Sequence, residues 1–383
     1  MNILIYVNSL DGGGAERVAA LWAKGLFENH HNVSIAVNYI NSISHYEVPD
    51  GVRIYRPFAV YDSLQKIFPC LLWDQIFSRI YNFVSEKVKR HLLGKILSKV
   101  NPEIIIVVLP ELYDRIRTAQ NICNKKILTI VTDHNSYERP DNAPFSPLQL
   151  ELKFKKCYEY DYLTVLTKVD QSILLKTMKK SFMNKVSVLP NPLSYEPSND
   201  VPPKEKIVLA VGRLNVWFCK GFDLLLKVWA KISKDFPDWK LEIAGNGDKT
   251  FLLKICEKLN ITNSVVFLGY VNVKEYYEKA SIFVMSSRYE GFGMALTEAM
   301  SQGCACVACD YNGRQREIIE NESQGLICNP DDESSIESAL RRVLSDEGYR
   351  FYIQKNAIER SKYYGLSNIM NCWNGIFKKI GLV

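Results

Sequence analysis

The sequence contains no apolar run approaching the roughly 20 residues that a membrane-spanning helix needs. The apolar run from Asn2 to Val7 is too short for a secretory signal and follows no basic segment. A net charge of +6 over 383 residues is too small for a nucleic-acid-binding surface, although it suits an anionic small ligand or membrane. These absences predict a cytoplasmic protein, either soluble or peripheral on the inner face of the cytoplasmic membrane, with no nucleic-acid partner.

The sequence also lacks a disulfide framework, because its ten cysteines are scattered along the chain. We therefore expect reduced thiols. Cys304, Cys306 and Cys309 lie close together, but the alternating apolar pattern around them is typical of a strand. No cysteine pair elsewhere has zinc-finger spacing, so core packing explains this run better than a metal site does.

The chain is longer than a single hydrophobic core usually supports, so two domains are expected. Short apolar runs alternate with helical patterns, which is typical of β-α units in doubly wound parallel sheets. A polar, proline-rich segment at 196–205 separates two series of runs and predicts a linker. Segment 41–77 is rich in turn formers and aromatic residues and is expected to be irregular. The predicted strands are 3–7, 33–37, 103–109, 127–131, 163–166, 186–189, 206–211, 241–244, 265–268, 282–285 and 304–308.

The stretch 286–300, SSRYEGFGMALTEAM, follows one of these strands and combines a glycine loop with strong helix formers. A strand, a glycine loop and a helix in this order direct free backbone N–H groups toward an anion. Glu290 precedes the glycines and Glu298 lies in the predicted helix, so the two carboxylates could accept hydroxyls on either side of a phosphate. The alternative is an ordinary helix start with surface glutamates.

Two features of the first half lie at predicted strand ends. The glycines at 12–14 form a turn that either lets the backbone approach a phosphate or is only a tight turn. No third glycine follows where the dinucleotide-binding fingerprint requires one. His134 follows strand 127–131, where ligands collect in open α/β sheets, but a lone histidine is more often a structural hydrogen-bonding group.

In the second half, Arg213 and Lys220 follow the first predicted strand. An arginine fork and a lysine point charge are suited to holding a diphosphate. Glycine-containing loops follow the next two strands, at 245–248 and 269–271, and leave room for a flat base against the backbone. With the two carboxylates, these groups predict a nucleoside diphosphate that carries a polar group.

Several motifs now share one order along the chain: GGGAERV, DHNS, VLPNPLS, VGRL…KGFDLLL, IAGNG, FLGYV and SSRYEGFGMALTEAMSQG. In this order they resemble the retaining glycosyltransferases of family four, of the type that builds bacterial surface polysaccharides. The resemblance spans nearly the whole chain and implies the GT-B fold, in which two Rossmann-like, doubly wound parallel-sheet domains face each other across a cleft. It implies an acceptor domain at 1–195, a nucleotide-sugar domain at 203–362 and a helix at 363–383 that crosses back to the first domain.

The resemblance also implies roles for residues at matching positions. Arg213 and Lys220 match the residues that grip the diphosphate, and Glu290 matches the glutamate that faces the donor sugar. His134 matches a histidine near the reacting sugar carbon, which completes the implied catalytic set. Glu298 matches the glutamate on the ribose. The positions implied to bind the donor are Gly13, Gly14, Gly212, Gly245, Gly247, Tyr270, Val271, Gly293, Met294, Ala295, Leu296 and Glu298.

The implied reaction is metal-independent transfer of a hexosyl unit from a nucleoside-diphosphate sugar, with retention of configuration. The two cations and helix N-terminal N–H groups would stabilise charge on the leaving diphosphate. No Asp-x-Asp pair occurs in a matching loop, so neither a metal ion nor another cofactor is expected. The base is implied to rest near Tyr270 and Val271, and a UDP-sugar is favoured over a GDP-sugar.

The implied acceptor is a glycolipid, another lipid-linked precursor or an oligosaccharide. Basic segments at 78–100, 153–156 and 176–185 either contact an anionic membrane surface or are solvated faces. The chain departs from the family at Arg314, where many relatives carry proline.

Three other classes of protein were weighed. A nucleotide-sugar epimerase of the same fold would need further first-domain carboxylates, which the sequence does not show. A non-catalytic nucleotide-sugar-binding subunit would be expected to have lost Lys220 or Glu290, and both are present. A nucleic-acid binder would need a denser basic and aromatic face.

Overall fold

The computed structural model describes residues 1–38, 46–56, 75–138, 153–178 and 180–382. These residues form two α/β domains, each built on one parallel sheet, which confirms the predicted fold class. Clusters of apolar side chains cover both faces of each sheet, as buried parallel strands require. No helix in these ranges is long and apolar enough to cross a membrane.

The first domain has seven strands: β1 Asn2–Val7, β2 Asn32–Val37, β3 Arg53–Tyr55, β4 Ile104–Val108, β5 Leu128–Thr132, β6 Tyr162–Val165 and β7 Val186–Val188. They are parallel and follow the order β3-β2-β1-β4-β5-β6-β7. The apolar sequence of β4, Ile-Ile-Ile-Val-Val, is completely buried. The helices are α1 Gly14–Glu28, α2 Gln75–Val100, α3 Tyr113–Ile122 and α4 Lys168–Thr177.

The second domain has six parallel strands: β8 Glu205–Val211, β9 Lys240–Ala244, β10 Val265–Gly269, β11 Ala280–Met285, β12 Ala305–Cys309 and β13 Leu326–Cys328. Their order is β10-β9-β8-β11-β12-β13. The helices are α5 Trp217–Lys220, α6 Phe222–Ile232, α7 Thr250–Lys258, α8 Val273–Lys279, α9 Met294–Ser301, α10 Glu333–Ser345, α11 Glu347–Ser361 and α12 Leu366–Lys379.

Every strand predicted from the sequence is present, with ends that shift by at most two residues. The strands β3 and β13 were not predicted, because three residues carry no recognisable hydrophobic period. The equally short β7 was predicted only as part of the longer run 186–189. Irregular structure was expected for 41–77, and residues 46–52 indeed form no helix or strand, but β3 and the first turn of α2 contradict the expectation. The rest of that prediction concerns residues 41–45 and 57–74, which lie outside the described ranges.

The last helix, α12, packs against α1 of the first domain rather than against the second sheet. Trp373 is fully buried and meets Trp22 edge-on, with 5.3 Å between the ring centroids. Phe377 stacks on Trp373 within the same cluster. The chain therefore runs through the second domain and ends in the core of the first.

A buried ion pair also links the domains. Arg314, between β12 and β13, donates to Asp170 in α4 at 2.6 Å, and both side chains are almost completely buried. Burial alone would lower the pKa of Arg314, but hydrogen bonding and the charge of Asp170 outweigh it and raise the pKa. Glu317 adds a second link, because it accepts the backbone N–H groups of Lys168 and Val169 at the start of α4. The arginine that departs from the family pattern thus has a structural partner.

We predict that Asp170→Asn lowers the free energy of unfolding by about 3–5 kcal/mol, because it leaves the buried Arg314 charge without a carboxylate. Urea denaturation followed by circular dichroism measures the change. The matched control is Asp235→Asn, which breaks the exposed pair with Arg341 (2.7 Å) and is expected to cost less than about 1 kcal/mol. Equal losses of unfolding free energy in the two variants would show that burial does not strengthen the Arg314–Asp170 pair.

Candidate active site

The loops at the carboxyl ends of the two sheets meet. A Cβ added to Gly14, after β1, would lie 3.4 Å from Met294 Sδ at the start of α9. A Cβ added to Gly291 would lie 2.8 Å from the carbonyl oxygen of His134. Strand order reverses between β1 and β4 and between β8 and β11, and such switch points are where open α/β sheets bind ligands.

Lys220 and Glu290 form an ion pair between the loops that follow β8 and β11. Two backbone contacts hold these loops together: Ser286 Oγ donates to Lys220 O at 2.9 Å, and Gly221 lies directly against Ser286 O. Gly221 has φ +63°, and a Cβ there would come within 2.0 Å of that carbonyl oxygen, so no other residue fits without a shift of the backbone. Ser287 Oγ donates to Glu290 at 2.9 Å and fixes the carboxylate further.

Two cations, Lys220 and Arg213, accompany the single carboxylate of Glu290. Burial alone would lower the pKa of Lys220, but the charge and hydrogen bond of Glu290 outweigh burial and raise it, so Lys220 stays protonated. Arg213 is exposed at the end of β8, and its charge acts on Lys220 in the opposite sense. Within the described ranges the guanidinium of Arg213 makes no hydrogen bond or ion pair, so Arg213 is available to an anion.

Beside these cations, the backbones of neighbouring loops pack closely against each other. A Cβ on Gly245 would lie 1.9 Å from Gly212 O, and one on Gly247 would lie 2.7 Å from Asn215 N. Leu214 N donates to Asn246 O at 2.8 Å and joins the loops after β8 and β9. The glycines therefore allow close approach between these loops. The predicted base-binding residues lie after β10, where Tyr270 is 77% exposed and Val271 packs partly into the core.

The start of α9 offers two N–H groups to an anion. Gly293, with φ +95°, precedes the helix, and its carbonyl oxygen accepts the N–H of Leu296 at 2.9 Å. The N–H groups of Met294 and Ala295 come before this first bond, so they are the ones that can meet a phosphate. Leu296 is consequently a less suitable donor than the sequence implied.

Glu298 lies in α9 and is 5% exposed. Its Oε1 accepts Arg17 Nη1 at 2.7 Å and Ser194 Oγ at 2.5 Å, and its Oε2 accepts the hydroxyl of Tyr277 at 3.2 Å. Sequence reasoning chose Glu298 but missed Arg17, although Arg17 belongs to the GGGAERV motif. No local pattern could connect them, because 281 positions separate the two residues.

His134 is held on both ring nitrogens. Nδ1 bonds with Asn191 Oδ1 and Nε2 with Thr132 Oγ1, each at 3.1 Å, and the ring lies 5.5 Å from that of Trp22. Burial lowers the pKa of His134 to about 4, despite the opposing effects of the Asp133 charge and the Asn191 hydrogen bond. The imidazole is therefore neutral near pH 7, which suits a hydrogen-bonding group better than a base.

No three His, Cys, Asp or Glu side chains converge as a metal site within the described ranges. Cys304, Cys306 and Cys309 are free thiols buried at β12, and burial raises the pKa of each. Their environment is that of core residues.

Comparison with known proteins adds to this geometry. Residues 194–360 match the family model of the glycosyl transferases group 1. An uncharacterised glycosyltransferase of Haemophilus influenzae is 27% identical over 375 residues, which are 97% of this chain and 98% of that protein. A Campylobacter jejuni enzyme is 28% identical over 382 residues, 97% of each chain. Its name is GalNAc-α-(1→4)-GalNAc-α-(1→3)-diNAcBac-PP-undecaprenol α-1,4-N-acetyl-D-galactosaminyltransferase.

Solved structures share the fold across the full chain. Staphylococcus aureus TarM, in a complex that contains UDP, aligns with a TM-score of 0.79 at 14% identity and covers 98% of this chain and 100% of its own. Anabaena HepE, in complex with UDP and glucose, aligns with a TM-score of 0.73 at 16% identity, with 99% and 100% covered. These neighbours and the two parallel-sheet domains establish the GT-B fold.

We predict that His134 makes the protein less stable in mild acid. The unfolded chain binds a proton at this histidine below about pH 6.5, whereas the folded chain does not until about pH 4. The free energy of unfolding should therefore fall between those values as the pH decreases, with a His134 share of about 2 kcal/mol at pH 5.

Urea denaturation of the wild type and of His134→Gln at pH 7 and pH 5 measures that share, which the variant lacks. His91→Gln, at an exposed position of α2, is the matched control and should keep the pH dependence of the wild type. An identical pH dependence in His134→Gln and the wild type would show that the imidazole is not held neutral by burial.

Proposed function

We propose that this chain, a glycosyltransferase with the GT-B fold, is a retaining, metal-independent enzyme that transfers a hexosyl unit from a UDP-sugar. The observation that carries the proposal is the Lys220–Glu290 ion pair at the switch point between β8 and β11, beside Arg213, which has no partner among the described residues. It combines two cations for a diphosphate with one carboxylate for sugar hydroxyls. The UDP in the TarM and HepE structures supports the choice of nucleotide.

In the proposed reaction the bond between the anomeric carbon and the diphosphate oxygen breaks, and negative charge develops on the leaving phosphate. This charge is stabilised by Arg213, Lys220 and the N–H groups of Met294 and Ala295. In other transferases a metal ion stabilises the corresponding charge. The acceptor oxygen bonds to the anomeric carbon on the same face, and its proton passes to the leaving phosphate. This route needs no protein base and no covalent enzyme intermediate.

His134 orients the donor sugar in this scheme rather than removing a proton. A group with a pKa of about 4 is a weak base at neutral pH, and its ring is already aligned by Thr132 and Asn191. The neighbouring carboxylate, Asp133, is buried and pairs with Lys153 at 2.6 Å. Because Asp133 is committed to that pair, it is poorly placed for the proton shuttling that an epimerase would need.

The proposed acceptor is a lipid-linked or polysaccharide precursor. The support is the name of the Campylobacter relative, which describes transfer to a sugar chain linked to undecaprenol through a diphosphate. A peripheral contact with an anionic membrane would serve such a substrate. The segment 153–156 contributes little to that contact, since Lys153 pairs with Asp133 and Lys156 with Asp114. The basic residues of α2 and of 176–185 are the better candidates.

The proposal predicts that the protein releases UDP from one UDP-sugar in a panel of UDP- and GDP-sugars, and that EDTA does not stop the release. Lys220→Ala should lower the rate roughly 100-fold, because it removes a group that stabilises developing charge. Glu290→Ala should also lower the rate, because it removes both a hydrogen-bond acceptor for the sugar and the carboxylate that holds Lys220 in position. Release is measured by chromatography of the nucleotide products.

The matched control is Lys231→Ala, which removes an exposed lysine paired with Glu333 at 2.9 Å and should leave the rate unchanged. Loss of activity in EDTA that added Mg²⁺ or Mn²⁺ restores would overturn metal independence. Binding of a nucleotide sugar with no turnover, even with lipid-linked acceptors present, would identify a binding subunit instead.

A further inference from the structure

The contact between Arg17 and Glu298 joins the two domains inside the proposed donor site. Arg17 belongs to α1 of the first domain and Glu298 to α9 of the second, and Arg17 Nη1 lies 2.7 Å from Glu298 Oε1. Ser194, in the segment between the domains, donates to the same oxygen and accepts from Arg17 Nη1 at 3.0 Å. Three separate parts of the chain therefore meet at one carboxylate oxygen.

The hydrogen-bonding capacity of Glu298 limits what a ligand can do there. A carboxylate offers about four lone-pair positions. The Oε1 atom accepts Arg17 and Ser194, and Oε2 accepts the buried hydroxyl of Tyr277. One position on Oε2 is left, so Glu298 can accept one ribose hydroxyl and keep every bond that holds it.

Arg17 is itself tied to the glycine loop. Its guanidinium lies 5.6 Å from the ring centroid of Tyr46, and the Tyr46 hydroxyl bonds with both the N–H and the carbonyl of Gly13 at 2.9 Å. The Arg17 side chain remains 33% exposed, whereas that of Glu298 is 6% exposed. Burial alone would lower the pKa of Arg17, but Glu298, Tyr195 and Tyr46 together outweigh burial and raise the pKa, so the charge is permanent.

We propose that Arg17 is a positioning residue of the donor site, supplied by the first domain, which orients Glu298 for the ribose of a nucleoside diphosphate. The inference rests on the proposed function and extends it: the ribose pocket is complete only while the two domains are closed. A nucleotide that binds the oriented carboxylate then favours closure, and closure strengthens nucleotide binding by the same factor.

The test is calorimetric titration of UDP into the wild type, Arg17→Met, Glu298→Gln and the double variant. Arg17→Met is expected to weaken UDP binding roughly 10- to 100-fold, the usual range for a hydrogen bond to a charged group. Because Arg17 acts through Glu298, the double variant should bind as weakly as Glu298→Gln alone. Arg17→Lys should recover part of the affinity, and Arg341→Met, at an exposed pair, should leave it unchanged.

Donor kinetics give a second readout. Arg17→Met should raise KM for the UDP-sugar by more than it lowers kcat, whereas general damage to the fold would lower the amount of active enzyme and leave KM unchanged. Thermal unfolding of each variant, compared with the wild type, monitors that damage directly.

The outcomes separate the two proposals. UDP binding by Arg17→Met within twofold of the wild type would overturn the inference and leave the proposed function intact. Equal losses from Arg17→Met in the wild-type and Glu298→Gln backgrounds would also overturn it, because Arg17 would then act independently of Glu298. A wild type that binds neither UDP nor GDP, and releases neither from a nucleotide sugar, would overturn the proposed function and this inference with it.

Discussion

Burying a carboxylate costs much free energy unless a cation and hydrogen-bond donors replace the water around it. This constraint governs how the two domains meet. The cleft and its margins contain acidic side chains that are largely buried, and each has a cation from a distant part of the sequence. Glu290 pairs with Lys220 inside one domain, whereas Glu298 pairs with Arg17 and Asp170 with Arg314 across the domains. Charged pairs therefore hold side chains of the candidate site and also link the two domains.

Glycines make the same arrangement possible at the level of the backbone. Gly221 and Gly245 allow loops after neighbouring strands to touch at distances that a side chain would prevent. Gly291 does this between domains, against the backbone of His134. Because the loops are held by each other, the side chains at their tips keep fixed positions, which is what stabilisation of a short-lived charge requires.

The sequence was sufficient to predict the two sheets and which polar side chains follow their strands. Strands of parallel sheets are buried on both faces, so β4 and β11 are recognisable as continuous apolar runs. Topology alone places Arg213 and Glu290 at the carboxyl edge of the second sheet and His134 at that of the first. β3 and β13 escaped prediction because three residues show no period, whereas β7, which is equally short, was predicted as part of the longer run 186–189. The pairs Arg17–Glu298 and Arg314–Asp170 were equally inaccessible, since a single sequence gives no information about contacts between positions 281 and 144 residues apart.

The Lys220–Glu290 pair raises the question of how one lysine can serve both a carboxylate and a diphosphate. An ammonium group has three N–H donors, so Lys220 can keep Glu290 on one and turn the others to a phosphate oxygen. Arg213, which has no recorded partner in the described ranges, adds the planar fork that a diphosphate fits. Before a ligand arrives, Glu290 compensates the partly buried lysine and keeps it oriented. In the proposed function the same carboxylate then has its second oxygen for a sugar hydroxyl, so the Lys220–Glu290 pair would link recognition of the phosphate to recognition of the sugar.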